Sequence, residues 1–292
     1  MKIFYLMEIM DYNIFKQVFN ETIFERSKAD LLTKIAEYPR RYIGLFRPTK
    51  PKAKILQNLL QSHEIRFGDA FEHIIEKYLA VKGCELLSKR YTNSDDEVLN
   101  IDQCFKRGDK VYFIEQKVRD DHDSTKKRGQ IANFEKKLFV LQTMYPKNDV
   151  IGVFYFIDPE LVKNRTYYSV ELEKMERDYG AELKLFYGQP LFDYLGYTDI
   201  WQEILVYLER WKDEIPDFPE INFDLEAIHT FEEIKDLKPL VFRKLFDNEQ
   251  IFEEILLTLF PEKKTLRLLR DEFVSKGTPI YKTLAEKIEA RL

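Results

Sequence analysis

Glu115 and Lys117 stand two residues apart at the end of an apolar run, Val111-Tyr112-Phe113-Ile114-Glu115-Gln116-Lys117, and Asp102 opens the run before it. Between the two runs lies Lys106-Arg107-Gly108-Asp109-Lys110, polar with a glycine at its centre. That pattern predicts a hairpin turning about Gly108. Folded so, Asp102 comes opposite Ile114 and Glu115. Side chains alternate along a strand, so Glu115 and Lys117 share a face. Two carboxylates and an ammonium then converge at one end of a ribbon. Hard cations take carboxylate oxygens, and a lysine beside them can neutralise charge on a phosphate. The bland alternative is a solvated edge-strand face with a turn-proximal acid. The apolar run ahead of Glu115 argues against it, because charges at the end of a buried strand are costly unless partnered.

A third carboxylate precedes the hairpin. Ala70, Phe71, Ile74, Ile75, Tyr78 and Leu79 recur at helical spacing, which predicts a helix over 69–81 closed by Gly83. Glu72 lies on the strip of Ile75 and Leu79, at the rim of the apolar face, and Glu76 shares part of it. A basic, polar stretch, 119–130, follows the second strand.

The order Gly68-x-x-x-Glu72, then Asp102, then Glu115-Gln116-Lys117 resembles the PD-(D/E)XK nuclease superfamily, most closely the type II restriction endonucleases. Ile101-Asp102 departs from that family's nominal Pro-Asp. The matched part runs from about Gly68 to Gln130, with looser similarity through Gly188. The resemblance implies a metal-dependent phosphodiesterase with a restriction-endonuclease-like α/β (mixed α+β) core. Asp102 and Glu115 match the metal-binding acids, Lys117 the lysine that orients or activates the attacking water, and Glu72 the helix glutamate that, in many members, adds a metal or water contact. It also implies Mg2+ as cofactor and cleavage leaving a 5′-phosphate and a 3′-hydroxyl.

Composition frames this reading. The chain has 292 residues, 45% of them hydrophobic, enough for one sizeable core and a second small one. Two cysteines, Cys84 and Cys104, imply no disulfide framework and fit a reduced, cytoplasmic setting. The opening Met1–Glu8 is too short an apolar run for a signal peptide, and no stretch is long enough to span a membrane. The net charge of −5 looks wrong for a DNA enzyme. Its distribution answers this: Asp199–Glu262 holds 17 acids against 6 bases, or −11, which leaves about +6 on the remainder. Tyr38–His63 contains no acid but carries Arg40, Arg41, Arg47, Lys50, Lys52 and Lys54. Local patches, not overall charge, set the field that a phosphate feels.

Three regions follow. Residues 1–65 read as two helices (to 37), a basic proline-punctuated loop (38–54) whose Arg47, Lys50, Lys52 and Lys54 are candidate DNA contacts, and the start of another helix. Residues 66–212 form the nuclease core. Within it 120–129 is expected as a loop offering Ser124, Thr125, Lys126, Lys127 and Arg128 to DNA. A helix follows from Gln130 with Ile131, Phe134, Leu138 and Leu141 on one face, and Gln130 points toward the site. His122 is a lesser candidate for ligand or base. The apolar run 149–157 reads as a strand buried on both faces. Residues 213–292 are acidic and helical, expected to brace the core or form a dimer interface. In the last of these helices Thr278 is the expected N-cap, with Pro279 at the first position.

The leading reading is a type II restriction endonuclease acting on double-stranded DNA as a homodimer, with a protective DNA methyltransferase as functional companion. A repair, resolvase or transposon-type nuclease is the second reading. A non-catalytic DNA-binding module is the third, and it sits poorly with a complete Asp102, Glu115 and Lys117 set.

Overall fold

Residues 8–146 and 149–292 are described here from a computed structural model, so the Met1–Met7 opening run lies outside the described residues. Helices α1 (Tyr12–Phe24), α2 (Ser27–Glu37), α3 (Arg40–Ile43) and α4 (Pro51–Val81) lead into strands β1 (Glu85–Leu86), β2 (Arg90–Thr92), β3 (Val98–Asn100), β4 (Gln103–Arg107) and β5 (Lys110–Lys117). Then come α5 (Ser124–Met144), β6 (Asp149–Phe156), α6 (Arg165–Tyr179), β7 (Glu182–Tyr187), α7 (Pro190–Leu195) and α8 (Thr198–Glu214). The remainder is helical: α9 (Ala227–Ile234), α10 (Pro239–Asp247), α11 (Glu249–Ile251), a π-helical turn (Phe252–Leu256), α12 (Leu257–Leu259), α13 (Lys264–Lys276) and α14 (Pro279–Glu289).

The chain divides into two compact units. The first joins the described residues up to Phe19 with Gly68–Glu214. It contains a five-stranded sheet in the order β1-β4-β5-β6-β7. The predicted hairpin is β4–β5, antiparallel, with Gly108 at φ 60 in its turn. That left-handed conformation is open to glycine at little cost. β5, β6 and β7 are parallel, giving a mixed sheet flanked by helices, as the sequence predicts. β6 is buried from Val150 to Phe156. Gly152 lies opposite Phe113 and Leu183, and a Cβ there would meet both side chains at 2.7 Å. Its missing side chain lets the Phe113 ring occupy the core.

The second unit joins Asn20–Phe67 with Ile215–Leu292. Leu31, Ile35, Tyr42 and Ile55 pack in one apolar core with Phe242, Phe252, Leu269 and Ile288. Sequence neighbours therefore do not define this unit; its two halves are more than a hundred residues apart along the chain.

Three local expectations are corrected. The region 38–54 is not one loop: it holds α3, and α4 starts at Pro51. A proline is tolerated at the first helical position, where its missing N–H would have no partner anyway. From there α4 is one helix of 31 residues, so the helices expected to begin near Lys54 and Asp69 are the same helix and Gly68 is interior to it. The helix after β5 starts at Ser124, not Gln130, because Asp123 caps it by accepting from the Thr125 and Lys126 N–H groups at 2.9 and 2.8 Å. Thr278 holds the N-cap position of α14, but its side chain makes no capping bond.

Candidate active site

One face of β5 packs on α5. Val111 and Phe113 share a core with Phe134, Leu138 and Leu141, and the Phe113 and Phe134 rings lie 4.8 Å apart. Glu115 is the next side chain on that face, and it is buried. A buried carboxylate needs a counter-charge. α5 supplies it: Lys137, 2% exposed, donates to Glu115 Oε2. The residue lies three positions after Phe134 and four before Leu141, on the apolar stripe itself. Sequence reasoning passed over it, although a lysine inside a buried helical stripe is a signal that can be read in advance.

Lys117 is one pleat further along. Its ammonium donates to Glu115 Oε1 at 2.8 Å, to Asp102 Oδ2 at 3.1 Å and to the Gln116 carbonyl at 2.7 Å. Three acceptors saturate its three donors. Asp102 stands one step beyond the registered pair Gln103–Ile114, opposite Glu115, as the hairpin register requires. Its Oδ2 also accepts from the Gln116 N–H at 2.7 Å. The structure thus brings Asp102, Glu115 and Lys117 together.

Glu72 belongs to the same neighbourhood through α4. The side chain of Gln103, buried beside Asp102, donates to the Glu72 carbonyl at 2.7 Å. Among the described residues no donor meets the Glu72 carboxylate. Burial, and after it the negative charge of Asp102, pushes its pKa up to about 8, against pulls from Lys89 and Lys117. Asp102 is raised as well, by burial and then by Glu115, with Lys117, Lys137 and the Gln116 N–H opposing. Burial disfavours the Lys117 ammonium, but the two carboxylates outweigh it and hold the proton more firmly than usual. Glu76 is engaged elsewhere, in an ion pair with Lys89 at 2.8 Å.

Ser124, Thr125, Lys126 and Arg128 are exposed on the first turns of α5. Lys127 donates to Asn164 Oδ1 at 3.1 Å and lies 4.4 Å from the centre of the Tyr167 ring. Gln130 accepts from the Tyr168 hydroxyl at 2.6 Å. His122 is half-buried, and burial with the neighbouring Lys126 favours its neutral form. Arg47, Lys50 and Lys52 are exposed and Lys54 donates to Gln57, all four within the helical unit. A further feature escaped sequence reasoning. Asp120, fully buried, accepts from the Asn164 backbone and side-chain amides at 2.8 Å and from the Tyr187 hydroxyl at 2.9 Å. These bonds fix the chain between β5 and the cap of α5.

Among the described residues no group of three His, Cys, Asp or Glu side chains closes into a metal-binding cluster. The donors at the end of β5 are nevertheless all carboxylate oxygens, the set that hard divalent cations prefer, and such an ion needs only one or two protein carboxylates beside a phosphate.

A mixed sheet flanked by helices, with a Glu-x-Lys strand end facing an aspartate across a hairpin, defines a restriction-endonuclease-like fold. The family model described as Type II restriction endonuclease, HinfI, matches residues 11–96 and 81–212. The chain belongs to that family, and the family makes it a DNA-cleaving hydrolase. No curated protein and no solved structure gives a significant match. No helix among the described residues is long and apolar enough to cross a membrane.

Proposed function

We propose that this chain is a divalent-metal-dependent, site-specific endonuclease that cuts both strands of duplex DNA and leaves 5′-phosphate ends. One observation carries the reading: the Lys117 ammonium is clasped by Asp102 and Glu115 at the end of a buried strand. Asp102 and Glu115, with Glu72 at the rim, would hold the cation, of which Mg2+ is the natural choice for an all-oxygen set. Bound there, a divalent cation offsets charge on the scissile phosphate and lowers the pKa of a water.

The chain's own contribution is positional and electrostatic. Lys117 keeps its proton and presents a fixed positive charge where the attacking oxygen and the phosphate meet. Lys137 holds Glu115 from the protein side, on Oε2, so that Oε1 is the oxygen turned toward Lys117. Ser124, Thr125, Lys126 and Arg128 at the start of α5 supply phosphate contacts, and Arg47, Lys50, Lys52 and Lys54 supply a second set. Lys127 and Gln130 are already bonded within the protein and act by fixing neighbouring segments. The working form is a homodimer matched to a two-fold site, and a methyltransferase of the same specificity is the functional companion.

The test is digestion of a long duplex of known sequence with Mg2+ and with EDTA. Discrete fragments that vanish with EDTA, carrying 5′-phosphates, are expected. A smear, or cutting that persists in EDTA, would refute site-specific metal-dependent cleavage.

A further inference from the structure

Loop 44–50 of the helical unit has a tip of unusual character. Leu45 is 89% and Phe46 98% exposed, and Phe46 is the most exposed large apolar side chain among the described residues. Two adjacent apolar side chains fully in water gain nothing in the free chain. The loop's base, in contrast, is fixed. Tyr42 is buried and Ile43 packs on the helical core. Ile55 does the same a turn after α4 begins. A Cβ on Gly44 would meet the Arg40 carbonyl oxygen at 2.5 Å, so the chain leaves α3 by a path that suits glycine. Pro48 and Pro51 restrict the return.

The surroundings of the tip are basic. No acid occurs from Tyr38 to His63, and among the described residues no carboxylate pairs with Arg40, Arg41, Arg47, Lys50 or Lys52. Arg41 instead stacks on the Tyr38 ring, 4.3 Å from its centre. Unpaired cations around an apolar point suit a polyanion with an apolar interior. They oppose a second copy of the same surface, which would bring like charges together.

We propose that Leu45 and Phe46 form a wedge that enters the base stack of duplex DNA while Arg47, Lys50 and Lys52 hold the flanking phosphates. Apolar side chains inserted at a base step unstack it and let the duplex bend. The reading rests on the nuclease function proposed above and adds how the DNA is held.

The test uses the full chain and a duplex containing the sequence it cuts, with 2-aminopurine placed at successive positions and Ca2+ in place of Mg2+. The wild-type protein is expected to raise fluorescence at one step. Phe46→Ala should abolish the rise and weaken binding about tenfold, within the range that base–aromatic stacking spans. The slope of log affinity against log salt should stay unchanged, because no phosphate contact is lost. Phe46→Trp should retain both signals. Wild-type binding with no rise at any position, or Phe46→Ala behaving as wild type, would overturn the wedge alone. So would a Phe46→Ala defect that appears in sedimentation mass, or in binding to phosphatidylserine vesicles, with fluorescence intact. Failure of the wild-type protein to bind or cut DNA at all would overturn the nuclease reading beneath it.

Discussion

The end of β5 and the loop 44–50 both concentrate charge, in opposite ways. At β5 the charges are buried (Glu115, Lys137) or half-buried (Asp102, Lys117) and every ammonium is matched: Lys137 on Glu115, Lys117 on Glu115 and Asp102. In the loop Arg47 and Lys50 stand in water without a carboxylate partner among the described residues. The difference follows from desolvation. A charge removed from water must find a counter-charge or lose its ionisation, whereas an exposed one is stabilised by solvent and stays available to a ligand. Buried pairs therefore fix geometry to within the length of a hydrogen bond, and exposed cations supply attraction without fixing it. Catalysis needs the first and DNA capture the second.

The sharpest way to break the comparison is to remove a charge from the buried set. Asp102→Ala, Glu115→Ala and Lys117→Ala should each lower the cleavage rate by about a thousandfold or more, with duplex binding in Ca2+ largely kept. Wild-type turnover by any of the three would remove that residue from the site. Glu72→Ala should cut more slowly than wild type but faster than these three.

Lys137→Met tests burial directly. It leaves Glu115 without its inner partner, and breaking a buried pair typically costs about 3–5 kcal/mol. The double variant Lys137→Met, Glu115→Gln should recover a good part of that loss in urea unfolding while remaining inactive. If the single variant unfolds at the wild-type midpoint, the pair carries no structural weight.

Glu72 gives a pH test. Its pKa is raised from 4.5 to about 8 on folding. The folded protein thus holds a proton that the unfolded chain releases between those values, so stability in EDTA should fall as pH rises from about 4.5 to about 8. Asp102 acts in the same direction. Glu72→Gln should flatten the decline, and an unchanged profile would show that Glu72 is not the group titrating.

The exposed set should answer differently. Arg47→Ala and Lys50→Ala should leave the unfolding midpoint alone, weaken binding to all sequences alike, and each reduce the salt slope by about 1. Smallest of all is Gly68→Ala. A Cβ there meets only Val118, at 3.5 Å, inside a continuous helix. Helix propensity then predicts a gain of up to about 1 kcal/mol, and a loss would mean that the glycine is needed for close approach.

Much of the candidate site was legible in advance because it is local. Alternation along β4 and β5 and a glycine turn of fixed length place Asp102 opposite Glu115 with no knowledge of the rest of the chain. α5 starts six residues before the Gln130 start that the polar character of 120–129 suggests, for an equally local reason: Asp123, an aspartate before a helical run, is a start signal. The start of α4 falls at Pro51 rather than Lys54, because that proline occupies the first helical position instead of breaking the helix.

By itself, then, the sequence determined the β4–β5 hairpin and the faces on which Asp102, Glu115, Lys117 and Glu72 lie, since strand alternation and helical spacing are short-range. Only the tertiary structure decided what those faces meet. That Lys137 is the counter-ion of Glu115 depends on α5 packing across β5, and that Tyr42 and Ile55 share a core with Phe242 and Ile288 depends on contacts across some two hundred residues. Burial fixes such partners, and burial is a property of the folded chain, not of the spacing along it.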